Sequence, residues 1–176
     1  MYHIYRCVLD VEEDVIRDIK IKSDQSLEDL HQAIVNAFNF SSNEMAAFYK
    51  TDDEWTQGDE IPLIDMSDAG MTDEMKDYQL SAVFLHKSDK MLYVYDFLNL
   101  WTFFIELHKL EESGEDSAQL VFSTGKLPEQ APEKHFESDT VTNILESDLD
   151  FDEAYNDEFG DEFDDDLNVE DLGDYY

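Results

Sequence analysis

The chain has 176 residues, 45 of them acidic and 11 basic, which gives a net charge of −34 at pH 7 and an isoelectric point near 4.1. That charge repels phosphate backbones and anionic membrane surfaces, and so few Lys and Arg release few counterions, so direct nucleic-acid and membrane binding are disfavoured. A hydrophobic content of 42% with 13% aromatics supplies one ordinary core plus an appendage.

The only cysteine, Cys7, has no internal partner for a disulfide, and a reducing compartment is the natural reading. The opening MYHIYRCVLDVEED lacks the basic and apolar regions of a signal peptide. The longest near-apolar run, Phe97 to Ile105, is broken by Asn99 and Thr102 and is far shorter than the ~20 residues of a membrane span. A cytoplasmic protein is expected.

Met1 to Asp10 predicts a buried strand, with Tyr2, Ile4 and Val8 alternating against Tyr5, Cys7 and Leu9. After an acidic turn, Val15 to Lys22 alternates apolar and charged residues as a half-exposed antiparallel strand does, and the two make a hairpin. Ser26 then precedes Leu27, Leu30, Ile34, Ala37 and Phe38 at helical spacing, with Asp29 placed for a capping box. Met45 to Lys50 follows as a third strand. Hairpin, helix, strand is a ββαβ opening shared by ubiquitin-like folds and many other α+β domains.

Thr51 to Met75, with Gly58, Pro62 and Gly70, reads as a long excursion holding a helical turn near Leu63 to Met66. Tyr78 to His86 predicts a short helix. Lys90 to Phe97 and Trp101 to Leu110, rich in aromatic and β-branched residues, predict the strongest strand pair, and Ala118 to Ser123 a last strand closing the sheet. The expected fold is α+β, with a mixed or antiparallel sheet over residues 1–134.

Residues 135–176 form an acidic tail. From Glu137 to Asp174 there are 17 acidic residues and no basic one, leaving 28 acids against 11 bases before it. Uncompensated charge makes disorder the default there. One pattern departs from it: Phe151, Tyr155, Phe159, Phe163 and Leu167 recur every four residues among Asp and Glu, as a stripe for docking a partner would.

Motifs for chemistry are incomplete. Asp148, Asp150 and Asp152 have the first spacings of a calcium loop, but Glu153 and Phe159 stand where its glycine and bidentate glutamate belong. Gly125-Lys126 resembles the end of a phosphate loop, with Leu120 and Leu127 at the other required positions. His3, His31, His86, His108 and His135 are scattered without ligand spacing and read as surface or half-buried structural residues. Neither a metal nor a cofactor is expected. Asp52, Asp53 and Glu54, beside Trp55, read first as a solvated loop with one anchoring aromatic, and second as part of a polar site.

SLEDLHQAIVNAFNF (Ser26 to Phe40), Phe48, KMLYVYDF (Lys90 to Phe97) and Trp101 together resemble the plasmid pRi-A4b ORF-3-like family over residues 1 to 130. LPEQAPE (Leu127 to Glu133) is similar to its closing Pro-rich segment. The resemblance implies an α+β domain and plasmid or transposon-passenger contexts, without an activity to carry over. Three departures stand out. The family pattern has H-L-H where this chain has Glu44-Met45-Ala46, G-D-D where it has Leu98-Asn99-Leu100, and a His at the position of Phe103. Asp96 alone keeps the polar character of that strand end.

The expected function is a non-enzymatic interaction module whose acidic, aromatic-studded tail meets another protein, one that is basic or has an apolar groove. Two alternatives stand beside it. One is a degenerate or cryptic enzyme using Asp96 with Asp52, Asp53 and Glu54, which requires a concave site joining them. The other is a nucleic-acid mimic, which requires ordered carboxylate rows on one face.

Overall fold

A computed structural model describes residues 1–41, 43–66 and 72–132, all within the unit Met1–Lys134. The tail positions Phe151, Tyr155, Phe159, Phe163 and Leu167 lie outside the described residues. In chain order the elements are β1 (Tyr2–Leu9), β2 (Ile16–Lys22), α1 (Leu27–Phe38), β3 (Ala46–Thr51), β4 (Gln57–Pro62), a 3₁₀ turn (Met75–Asp77), α2 (Leu80–Val83), β5 (Lys90–Tyr95), β6 (Trp101–Glu111) and β7 (Gln119–Thr124). The strands form one sheet in the order β4-β3-β5-β6-β1-β2-β7, and all six pairings are antiparallel. The fold is therefore α+β and dominated by its sheet, without the parallel pair that a mixed sheet needs.

Helix α1 begins where the sequence places its cap. The Ser26 hydroxyl accepts the Asp29 N–H while the Asp29 carboxylate accepts the Ser26 N–H, so two otherwise orphaned donors are satisfied. It ends at Asn39, whose φ of 58° is the left-handed conformation that asparagine tolerates. Between them Leu27, Leu30, Ile34 and Phe38 form the buried stripe.

That stripe lies on one face of the sheet. Tyr5, Cys7 and Leu9 of β1, Tyr93 of β5, and Phe103, Ile105 and Leu107 of β6 point into the same core, which Met75, Leu80 and Phe84 complete from the following short helices. Period-two alternation sends their neighbours to the other face. There the register aligns an apolar row, Tyr49, Leu92, Phe104, Val8 and Ile16, beside a charged row, Lys90, Glu106, Arg6 and Asp18.

Arg17 ties the sheet margin to the helix. Its guanidinium donates to the carbonyls of Ala37, Ile16, Thr124 and Gly125 and lies 5.0 Å from the Phe38 ring. Gly125 is required there: its φ is 74°, and a Cβ would fall 2.0 Å from the Asp14 carbonyl oxygen. The chain after it packs Leu127 and Ala131 on the core and leaves a cleft of about 370 Å³ against Val11 and Val15.

Three local expectations are corrected. The excursion after Thr51 contains a strand, β4, instead of loop alone. Its sequence Gln-Gly-Asp-Glu-Ile-Pro is poor in strand formers, and only Ile61 is buried, so main-chain pairing to β3 decides the conformation. Residues 63–64 form a bend and 65–66 continue irregularly, without a helical turn. The predicted helix over 78–86 is the shorter α2, preceded by its own 3₁₀ turn.

Candidate interaction site

The polar residues singled out in the sequence are placed at opposite ends of one strand. β3 and β5 run antiparallel with Ala46 opposite Tyr95 and Lys50 opposite Met91. Asp96 therefore lies beside Met45, whose carbonyl accepts its N–H at 2.8 Å, while residues 52–54 lie beyond Lys50. Seven residues of extended chain separate the two groups, roughly 20 Å. The concave site that an enzyme using both would need is not formed by this topology.

Each group is already employed. One Asp96 carboxylate oxygen accepts the N–H groups of Leu98 and Asn99, the other accepts the Asn99 side-chain amide, and Asp96 itself has a φ of 59°. It thus ends β5 at Tyr95 and shapes the turn to β6. Asp52 accepts the N–H groups of Glu54 and Thr56, and these bonds hold its carboxyl below the usual range. The turn presents Trp55 edge-on to Phe104 at 4.9 Å, with the Lys90 ammonium 5.0 Å from the indole centre. Lys90 also donates to the Asp53 carbonyl.

The core histidines are more buried than sequence reading places them. His31 Nδ1 is 2.7 Å from the Tyr93 hydroxyl, and His3 Nδ1 is 2.8 Å from that of Tyr5. Burial lowers the His31 pKa to about 4 and lowers that of His3, so both are neutral partners of phenols. Burial likewise pushes the Cys7 thiol up, the opposite of what a nucleophile requires. Among the described residues no cluster of His, Cys, Asp and Glu could hold a metal ion. No helix among them is long and apolar enough to cross a membrane.

The carboxylates of the open sheet face are interleaved with cations. Arg6 forms a two-pronged pair with Asp18 at 2.9 and 2.8 Å, and Glu106 stands beside Arg6 and Lys90. A row of alternating sign does not imitate a run of phosphates.

A different feature emerges at the Asp96 end of the sheet. The β3–β4 pairing brings Pro62 and the following Ile64 and Met66 beside Met45, and the β5–β6 turn adds Phe97 and Leu98. Met45, Pro62, Ile64, Met66 and Phe97 line a cleft of about 360 Å³, with Glu60 and Asp65 in its wall. Met66 is 79% exposed and Leu98 92%; Ile64 and Phe97 are exposed too. Contiguous apolar side chains kept in water beside carboxylates make this a candidate contact surface.

These are also the positions at which the resemblance drew attention. Glu44-Met45-Ala46 and Leu98-Asn99-Leu100 stand in for the family pattern's polar runs, and the β3–β5–β6 pairing gathers them at one end of the sheet. Phe103, at the position of the pattern's second histidine, is fully buried against Phe38 at 4.8 Å. The profile of the plasmid pRiA4b ORF-3-like protein family matches residues 6–170. The chain belongs to this family. The match includes most of the acidic stretch as well as the sheet-bearing body. A crystal structure of a protein of unknown function from Methanosarcina mazei Go1 is similar in fold, with a TM-score of 0.53 and 22% identity over 65% of each chain. No curated protein matches the sequence.

Sequence reasoning missed the cleft because its residues are far apart in the chain. Ile64 and Met66 lie in what reads as a loop, and only the unforeseen strand β4 carries them to Met45 and Phe97. The available signal was the departure from the family pattern's two runs, with Ala46 and Leu100 standing where it has polar residues.

Proposed function

We propose that this member of the family is a non-enzymatic protein-interaction module, acting in the cytoplasm on a partner that is basic and presents apolar anchors. The observation that carries this reading is the exposed apolar cleft bounded by Met45, Pro62, Ile64, Met66 and Phe97, with Glu60 and Asp65 in its wall. It is supported by the tail pattern, in which Phe151, Tyr155, Phe159, Phe163 and Leu167 recur among carboxylates. Its carboxylates repel one another, so aromatic rings placed among them gain burial only once a cation neutralises that repulsion. A basic partner with an apolar groove supplies both terms.

The engaged state of Asp52 and Asp96, at opposite ends of β5, favours recognition over catalysis. The test is capture of host proteins by the full chain at low and raised salt. Basic proteins are expected to be retained, to be released as ionic strength rises, and to be lost when Phe151, Tyr155, Phe159 and Phe163 are all replaced by Ala. Retention no greater than that of an unrelated chain of equal charge would defeat the proposal.

A further inference from the structure

The two edges of the sheet are built differently. At one edge, β4 carries Gly58, Asp59, Glu60 and Pro62, and such charges and prolines discourage the addition of another strand. At the other, β7 reads Gln-Leu-Val-Phe-Ser-Thr, without a charge or a proline, in a chain of net charge −34. Its Leu120, Val121 and Phe122 are 47–49% exposed. Among the described residues no strand lies beyond it.

A register shift between β2 and β7 separates the directions of the apolar side chains. Leu120 borders a groove of about 230 Å³ with Ile19, Ala33 and Ala37 on the helix side. Phe122 borders one of about 400 Å³ with Ile4, Arg6, Lys20 and His108 on the open side. A strand laid along β7 would therefore place alternate side chains into prepared space on both faces.

We propose that β7 is a strand-addition edge whose occupant is β7 of a second copy, the two pairing antiparallel about a two-fold axis. An uncharged strand is complementary to itself, because no like charges are brought into opposition and the apolar residues of each copy meet those of the other. Beside it, Arg17, Lys20 and Lys22 of β2 are balanced by Asp18, Glu111 and Asp116, with Lys20 paired to Glu111 and Lys22 to Asp116, so two strongly acidic chains meet there across a margin whose own charges cancel. This inference does not rest on the recognition role proposed above.

The test is sedimentation equilibrium of the full chain from low to high micromolar concentration, with hydrogen exchange read at residues 119–124. The wild type is expected to dimerise, and its 119–124 amides to slow as concentration rises. Val121→Lys with Phe122→Lys should raise the dimer dissociation constant more than about tenfold. Near-UV circular dichroism checks that this variant is folded, and Val121→Thr with Phe122→Thr, which keeps strand propensity, serves if it is not. A wild type that stays monomeric overturns the proposal, as does a dimer unaffected by the folded variant. So does equal protection of 119–124 at the lowest concentration, which would mean that the edge is covered within one chain.

Discussion

Replacing Phe103 by Ala is expected to destabilise the body by about 3–5 kcal/mol, the range for truncating a buried aromatic that leaves a cavity. Phe103 is fully buried and meets Phe38 edge-on at 4.8 Å and Tyr93 at 5.5 Å, so its loss removes contacts to both α1 and β5. Surrounding rings cannot close the space without leaving their rotamers. Phe104, the next residue, faces the other side of the sheet and is half-buried beneath Trp55. Phe104→Ala should cost less than about 2 kcal/mol. Denaturant unfolding of the two variants reads the alternation of β6 directly. Equal losses would show that the strand faces are assigned wrongly.

The second large effect is a pH dependence. His31 is 4% exposed, and burial lowers its pKa from 6.5 to about 4. Above pH 6.5 the imidazole is neutral in both the folded and the unfolded chain and the shift has no effect. As pH falls below 6.5 the unfolded chain gains a proton that the folded chain refuses, so stability is lost down to pH 4 and then levels off. The loss is about 3 kcal/mol over that window. His3, lowered by the same cause, acts in the same direction. The many carboxylates titrate over part of this range, so the readout is a difference. His31→Gln, which keeps a hydrogen-bonding group for the Tyr93 hydroxyl, should be less sensitive to pH between 6.5 and 4 than the wild type. Parallel stability curves would show that His31 is not held neutral by the core.

Which parts of this structure the sequence reveals depends on whether local chemistry or distant pairing decides them. The N-terminus of α1 is legible because Ser26 and Asp29 cap it within four residues, and the apolar stripe that follows has the helical period. β5 and β6 are legible because aromatic and β-branched residues crowd both faces. The end of β5 is less so. KMLYVYDF reads as strand through Phe97, yet Asp96 turns left-handed and closes it at Tyr95. β4 was invisible because its partner β3 supplies the stability that its own residues lack.

The site follows the same division. Asp52 and Asp96 attract notice as carboxylates, yet in the fold both are spent as turn acceptors. The apolar cleft has no local signature, since it takes residues from around β3, β4 and β5. His31 carried a partial signal, being next to the apolar stripe, but its phenolic partner lies 62 residues away.

The central claim, that this chain recognises a protein through its exposed apolar cleft, is tested most directly by a binding isotherm. A partner purified after capture is titrated into the wild-type chain and into Phe97→Asp with Leu98→Asp, which change an exposed lining residue of the cleft and its exposed neighbour in the β5–β6 turn. A charge set into an apolar contact costs a large part of its affinity, so the account predicts a dissociation constant raised more than about tenfold while thermal unfolding is unchanged. Equal affinity of the two proteins for the partner would contradict it.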